Sequence, residues 1–252
     1  MWVLLLASLP ALANDYDRES ALDISQSAIG EAIGAHTLRD IHGQTFELES
    51  LKGRPVVVSM IYTSCHHVCP TITRTLAEGV DAAREALGED SFSVVSIGFD
   101  WKVDTPERMR QFAAQQGVAR DPEWHFLAGD PSTIDALAAD LGFIFYESSK
   151  GFDHLAQTTI IDRDAVVYRQ VYGANLGKQA IVEPLKELVF DTPAGESLVT
   201  HWMNTLKLFC TVYDPNSDRY RFDYSIILAL IIGVLCLGSI AIFIVREWRT
   251  AR

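Results

Sequence analysis

The spacing of apolar positions changes along the chain, and each change marks the boundary between two predicted elements. Nearly continuous apolar runs at residues 54–62 and 91–100 are typical of strands buried on both faces. Residues 70–87 switch to helical spacing, which predicts an amphipathic helix directly after the first of these strands. The apolar face of that helix comprises Ile72, Leu76, Val80 and Ala83.

The rest of residues 35–190 continues this alternation of strands and helices. A capping residue followed by proline occurs at 105–106 and again at 130–131, which predicts the starts of two helices. The other predicted elements are a hairpin at 36–50, a short strand at 123–129, an extended piece at 142–147, two strands within 157–173 and a last helix at 176–190. This order predicts one α/β domain in which a central mixed sheet is flanked by helices.

The N-terminal end of the chain is unusually apolar. Residues 2–9 form an apolar run that leads into the small-x-small pattern at 11–13, the kind of pattern that signal peptidase cleaves. No Lys or Arg precedes the run. We predict a signal peptide over residues 1–13 and a polar N-terminal stretch over 14–34.

The C-terminal end contains a second apolar segment. Residues 224–245 carry no charge, and at ~1.5 Å per residue such a helix is long enough to cross a hydrocarbon core of ~30 Å. The tail at 246–252 contains three arginines, so the positive-inside rule places it in the cytoplasm. The sequence therefore predicts a single-pass membrane protein whose domain lies on the periplasmic, extracytoplasmic side, joined to the membrane helix by a linker at 191–223.

Composition narrows the possible partners. The chain has 252 residues and a formal net charge of -12, which argues against nucleic acid because nucleic-acid binding needs a basic surface. Four cysteines are too few for a disulfide-dense scaffold, so their positions matter more than their number.

Two of the cysteines, Cys65 and Cys69, lie in the stretch YTSCHHVCP that follows the first buried strand. A thiol at the start of a helix has a depressed pKa because the helix dipole favours the thiolate. Thiolates attack disulfides and also bind soft metals. A disulfide-exchange site, a metal site and a structural disulfide therefore all remain open for this pair.

Among the seven histidines, His154 has the most suggestive position. The strand, cysteine loop and helix resemble the layout of thioredoxins, in which the loop before the C-terminal hairpin runs beside the cysteines and carries a cis-proline. The present chain has His154 there and no proline nearby, which favours a metal. Copper accepts two thiolates and, as Cu(II), an added imidazole. His66 and His67, inside the cysteine loop, are weaker candidates.

Three segments together resemble the Sco/SenC family of thioredoxin-like copper-binding proteins: TSCHHVCP, GFDWKVDTPERMRQFA and FDHLAQTTIIDRDAVVYRQVYG. The resemblance covers about residues 35–190. It implies copper, as Cu(I) or Cu(II), bound by Cys65, Cys69 and His154, with Asp153 orienting or tuning the imidazole. Members of the family assist assembly of respiratory oxidases, especially the dinuclear copper site of cytochrome c oxidase subunit II.

The chain ends resemble only a subgroup of that family. Many members have one N-terminal anchor, whereas the present chain has a predicted signal peptide and a C-terminal membrane helix. The segment around Cys210, which reads CTVYDP, also resembles the C-terminal extension of this subgroup, and the resemblance implies no secure role for Cys210.

Two functional hypotheses follow. The first is a membrane-tethered copper metallochaperone that delivers copper to cytochrome c oxidase or another respiratory oxidase after loading by a copper donor protein. The second is a thiol–disulfide reductase, in which Cys65 attacks and Cys69 resolves, that keeps the oxidase's copper ligands reduced and is itself served by a thiol reductant. A redox or copper sensor that signals across the membrane is a third hypothesis, disfavoured because the tail of seven residues leaves little room for a cytoplasmic output.

Overall fold

A computed structural model describes residues 16–149, 151–190, 211–214, 219–222, 228, 232–233 and 235–238. The helices are α1 (Arg18–Ser27), α2 (Val68–Leu87), α3 (Pro106–Gln116), α4 (Pro131–Asp140) and α5 (Lys178–Phe190), and a 3-10 turn spans Leu48–Leu51. The strands are β1 (Thr37–Arg39), β2 (Thr45–Glu47), β3 (Val56–Ile61), β4 (Ser93–Gly98), β5 (Trp124–Ala128), β6 (Phe145–Ser148), β7 (Gly151–His154), β8 (Gln157–Ile161), β9 (Val167–Tyr172), β10 (Thr211–Asp214) and β11 (Arg219–Phe222).

Seven strands form one mixed sheet in the order β2-β1-β5-β4-β3-β8-β9. The three central strands β3, β4 and β5 are parallel, and the strands on either side of them run antiparallel. Every residue of β3 and of β4 is buried, which confirms the prediction from their continuous apolar runs. The predicted α/β, thioredoxin-like sheet flanked by helices is thus confirmed.

The helix starts follow from local chemistry. The Thr105 side chain caps α3 by accepting from the Arg108 N–H, and Asp130 caps α4 by accepting from the Thr133 N–H. α2 packs closely against α5 at Gly79, where a Cβ would come within 3.1 Å of two side-chain carbons of Ile181. Since α2 starts at Val68, directly after the loop that leaves β3, the fold brings Cys69 into its first turn.

The N-terminal stretch at 14–34 contains a helix, α1, that the sequence analysis did not predict. Its sequence is mostly polar, and its attachment to the domain is polar as well. Ser25 donates to Gln157 at 2.7 Å, and Gln157 donates in turn to the Leu141 carbonyl at 3.1 Å. Gly142, at φ +61, lies so close to α1 that a Cβ would come within 2.8 Å of the Ile24 carbonyl oxygen. Polar contacts of this kind leave no hydrophobic periodicity for sequence reasoning to detect.

Two further segments differ from or extend the predictions. The piece before His154 is a strand, β7, paired with β6 in a hairpin, rather than a loop. The interval at 191–223, predicted to be a linker, contains the hairpin β10–β11. The signal peptide at 1–13 and the tail at 246–252 lie outside the described residues.

The segment at 224–245 is described only at 228, 232–233 and 235–238, so its membrane-spanning character stays a prediction. Within the part of the chain that the structure describes, no helix has both the length and the apolarity that a bilayer crossing requires.

The attachment of α1 predicts an asymmetry between two glutamines in the same polar network. Gln157→Met keeps the volume but removes three buried hydrogen bonds, to Ser25, to the Leu141 carbonyl and to Thr159, and we expect it to lower the free energy of unfolding by about 2–3 kcal/mol. Gln26→Met removes an exposed bond to Tyr172 and should cost less than about 1 kcal/mol. Urea unfolding of both variants measures the difference, and equal losses would contradict the burial argument.

Candidate functional site

The two cysteines lie on either side of the α2 start and are within contact of one another. Cys65 is partly exposed, whereas Cys69 is fully buried, and both are free thiols. The backbone N–H of Cys69 donates to the Cys65 sulfur at 3.4 Å, and the Cys65 N–H donates to the Tyr62 carbonyl at 3.1 Å. The first turn of α2 thus folds back onto Cys65.

This geometry makes the two thiols chemically unequal. Donation from the Cys69 side chain, aided by the backbone N–H groups of Cys69 and His67, lowers the pKa of the Cys65 thiol to about 4, although burial opposes the effect. The same hydrogen bond and deeper burial raise the pKa of Cys69. The pair therefore consists of an accessible thiolate at Cys65 and a protonated, buried thiol at Cys69.

A buried carboxylate anchors the strand end that carries the cysteine loop. Asp104 accepts hydrogen bonds from the Thr63 N–H at 2.8 Å, the Thr63 hydroxyl at 2.7 Å and the Asp100 N–H at 3.0 Å. Burial raises the pKa of Asp104 despite these donors. Asp104 lies in the segment DWKVDTPE, and the sequence alone predicted no role for it. Its position directly before the α3 cap was the available signal.

His154 lies at the end of β7 among aromatic rings. Its ring centroid is 5.3 Å from Phe99, 5.4 Å from Phe143 and 5.9 Å from Tyr62. Phe145 and Phe152 pack on the same Phe99 ring and complete an apolar wall. Burial in this wall lowers the pKa of His154, so that the imidazole is neutral at neutral pH.

A single hydrogen bond orients the imidazole. The Nδ1 atom lies 2.7 Å from the Leu155 carbonyl oxygen. Because a carbonyl oxygen only accepts, Nδ1 carries the proton, and Nε2 keeps the lone pair that a metal requires. Metal-binding histidines commonly hold their second nitrogen in this way.

The orienting role expected for Asp153 belongs instead to the Leu155 carbonyl. Asp153 is exposed, and strand alternation directs its side chain to the opposite side from His154. Among the described residues no hydrogen bond joins the two side chains. The charge of Asp153 acts only through space, where it raises the pKa of His154 against the larger effect of burial.

Tyr62 connects the predicted ligands. It lies at the end of β3, where the cysteine loop begins, and its ring contacts His154 edge-on. The structure thus brings Cys65 and Cys69 together and places His154 against the ring of Tyr62. No three His, Cys, Asp or Glu side chains in the described part of the chain are grouped closely enough to hold a metal ion. A thiolate, a thiol and a neutral imidazole with a free Nε2 nevertheless match the donors that copper prefers.

The other loop histidines contribute less to the site. His66 and His67 are both exposed, and His67 immediately precedes α2 without capping it through its side chain. Copper ligation by Cys65, Cys69 and His154 stays a prediction.

Comparisons with known proteins agree on one family. The SCO1/SenC family model matches residues 25–189. The SCO1 protein homolog of Bacillus subtilis is 31% identical over 167 residues, covering 64% of this chain and 81% of that protein.

Solved structures of similar proteins have the same fold, among them the following two. A putative electron transfer protein from Aquifex aeolicus has a TM-score of 0.59 at 26% identity, covering 68% of this chain and 99% of that one. The copper-bound ScoI of Bradyrhizobium japonicum has a TM-score of 0.53 at 25% identity, covering 64% and 99%.

The unequal thiols predict a specific response to changes at Cys69. Cys69→Ala removes the side chain that donates to Cys65, so the midpoint of Cys65 ionisation should rise from about 4 toward the ordinary thiol range. Cys69→Ser keeps a donor and should leave the midpoint low. Iodoacetamide labelling of Cys65 across pH, located by peptide mass spectrometry, measures both midpoints. Equal midpoints in the two variants would show that the Cys69 side chain does not control this ionisation.

The hydrogen bonds of Asp104 lead us to expect that Asp104→Asn destabilises the protein more than Asp130→Asn does. Asp104→Asn replaces one accepting oxygen by an amide NH₂, which is a donor and so faces a group that also donates. We therefore expect a loss of about 2–3 kcal/mol in the free energy of unfolding. Asp130→Asn should change it by less than about 0.5 kcal/mol, because asparagine caps a helix as well as aspartate does. Chemical denaturation compares the variants, and a small loss at Asp104 would remove its anchoring role.

Proposed function

The chain belongs to the SCO1/SenC family, and from that membership and the geometry of its site we propose that it is a copper metallochaperone for a respiratory oxidase. Its ligands are Cys65, Cys69 and His154. The observation that carries this proposal is the pairing of an ionised thiol with a neutral imidazole whose Nε2 is free. The copper-bound ScoI relative supports the choice of metal.

The order of ligation follows from the ionisation states. Cys65 is partly exposed and already a thiolate, so it meets the incoming ion first. Cys69 must lose its proton to become a ligand, whereas Cys65 and His154 need not. Binding at neutral pH therefore releases one proton for each copper ion. Because Cys69 has to be deprotonated to bind copper, the copper affinity of the site falls as the pH falls. Protonation of Cys69 then helps to release the ion.

His154 has to approach the thiols for all three ligands to act together. The residue is at the end of the hairpin β6–β7, which is separate from the seven-stranded sheet, so a movement of that hairpin would bring the imidazole toward Cys65 without disturbing the sheet. The Leu155 carbonyl keeps Nε2 available throughout this movement. Three ligands from this chain leave room for a fourth ligand on the copper ion. A ligand of the partner protein would bind there and take the ion.

The proposed partner is the copper-binding subunit II of cytochrome c oxidase or of a related oxidase, and a separate copper donor protein supplies the ion. We propose that the domain lies on the extracytoplasmic side and that the apolar segment at 224–245 tethers it to the membrane. Tethering raises the effective concentration of the domain near a membrane-bound target.

The second candidate function is a thiol–disulfide reductase acting on the oxidase's copper-ligand cysteines. The inequality of Cys65 and Cys69 favours this alternative specifically, because a low-pKa exposed thiolate attacks and a buried thiol resolves. A separate thiol reductant would return the pair to its reduced form. The reductase function uses both cysteines and does not need His154.

The two functions make different predictions for His154→Ala. In the reduced full chain, copper titration should give one ion per wild-type molecule, and the variant should bind Cu(II) at least tenfold more weakly because it lacks the imidazole. His66→Ala is the matched control and should bind as the wild type does. Thiolate-to-copper absorption and competition with a chelator measure both quantities. A wild-type chain without stoichiometric binding would rule out the metallochaperone.

Oxidase assembly in cells then separates the candidates. Assembly that is lost in His154→Ala indicates copper delivery. Assembly that survives in His154→Ala but fails in Cys65→Ser indicates the reductase.

A further inference from the structure

A polar cleft opens beside Cys65, and none of the residues that line it belongs to the aromatic wall around His154. Its volume is about 300 Å³, at the lower end of the range for ligand sites, and it lies between the cysteine loop and α3. The residues that matter for recognition are Cys65, Arg108, Gln111, Phe112 and Gln115.

The cleft lacks the acidic side chains that dominate the charge of the protein. The chain carries a formal net charge of -12, yet no Asp or Glu is among the described residues that line the cleft. Arg108 is exposed, and its guanidinium forms no ion pair with any residue that the structure describes. An exposed arginine that has no carboxylate partner within the described part of the chain favours an incoming group that carries a carboxylate.

The α3 side of the cleft is a regular row of polar donors. Arg108, Gln111 and Gln115 are spaced by three and four residues, so they lie along one face of the helix. Phe112 is buried and anchors that face in the core. The row rises about 10 Å along the helix axis, which is the length of about three residues of extended peptide. Glutamine amides both donate and accept, so they match the N–H and C=O groups of an extended backbone.

We propose that this cleft is the docking site for an extended segment of the partner protein, one that presents a cysteine to Cys65 and a nearby acidic side chain to Arg108. Gln111 and Gln115 bond to the backbone of that segment. The inference rests on the proposed exchange with a partner's thiols and specifies the chemistry of the partner segment. The rest of the acidic surface repels other acidic proteins, so only a segment that reaches the cleft benefits from Arg108.

A copper-free exchange reaction tests the docking directly. The probe is a synthetic peptide, Gly-Glu-Gly-Cys-Gly-Glu-Gly, whose cysteine is joined by a disulfide to 5-thio-2-nitrobenzoate. Two matched peptides replace both glutamates with glutamine or with lysine. The Cys65 thiolate attacks the peptide sulfur, a Cys65–peptide disulfide forms, and the aromatic thiolate leaves with the electron pair of the broken bond. Its colour reports the rate. The full chain is used with Cys210→Ser and Cys236→Ser, so that only Cys65 and Cys69 react.

The expected result is a charge preference that depends on Arg108. At low salt the wild type should react about threefold to tenfold faster with the glutamate peptide than with the lysine peptide, as a partly exposed ion pair allows. Arg108→Glu should reverse the order of the peptides. Arg110→Glu changes the net charge equally, on the same helix but outside the cleft, and should keep the wild-type order. No preference in the wild type, or a reversal by Arg110→Glu as well, would overturn the proposal.

The alternative occupant of the cleft, in place of a peptide segment, is a small-molecule thiol. The mixed disulfide of N-acetylcysteine also carries a carboxylate but has no extended backbone. The Gln111→Ala/Gln115→Ala variant should slow the glutamate peptide by at least threefold and leave N-acetylcysteine unchanged. Equal slowing of both probes would assign the cleft to a small thiol and refute peptide docking. Copper titration of the same wild-type chain is a separate readout, so a failure of the metal site and a failure of the docking site are distinguishable.

Discussion

The carboxylate of Asp104 is the constraint on which the site depends. It lies where the loop after β4 turns into α3, and it binds three donors, two of them from Thr63 at the entrance of the cysteine loop. Burying a carboxylate costs free energy unless hydrogen bonds satisfy its oxygen atoms. The three hydrogen bonds of Asp104 therefore hold the two loops in one arrangement. The position of Cys65 relative to α3, and with it the cleft at Arg108, follows from that arrangement.

The site itself combines two environments that differ sharply. On one side, the first turn of α2 supplies donors that stabilise negative charge on Cys65. On the other, the aromatic wall around His154 excludes water and keeps the imidazole neutral. A soft cation between these two environments would bind the thiolate of Cys65 and the neutral imidazole nitrogen of His154. Tyr62 belongs to both environments, because it contacts His154 and starts the cysteine loop.

Much of the fold was predictable because its signals are local. Strands β3 and β4 are buried on both faces and read as continuous apolar runs, and the caps at Thr105 and Asp130 begin their helices where expected. α1 and the β6–β7 hairpin were not predicted. The first attaches through Ser25 and Gln157, and the second is a short ribbon whose partners are rings elsewhere in the chain. Neither kind of contact leaves a periodic pattern in sequence.

The sequence by itself determined which residues are the candidates for the chemistry: a C-x3-C pair at a helix start and a histidine before the C-terminal hairpin. Helix dipole effects and apolar periodicity act over a few residues, so neighbours in sequence suffice to reveal them. Only the tertiary structure decided how these groups differ. The proton stays on Cys69, the Leu155 carbonyl rather than Asp153 orients His154, and Arg108 lies beside Cys65. Burial and hydrogen-bond direction set these outcomes, and both depend on residues that are brought together only when the chain folds.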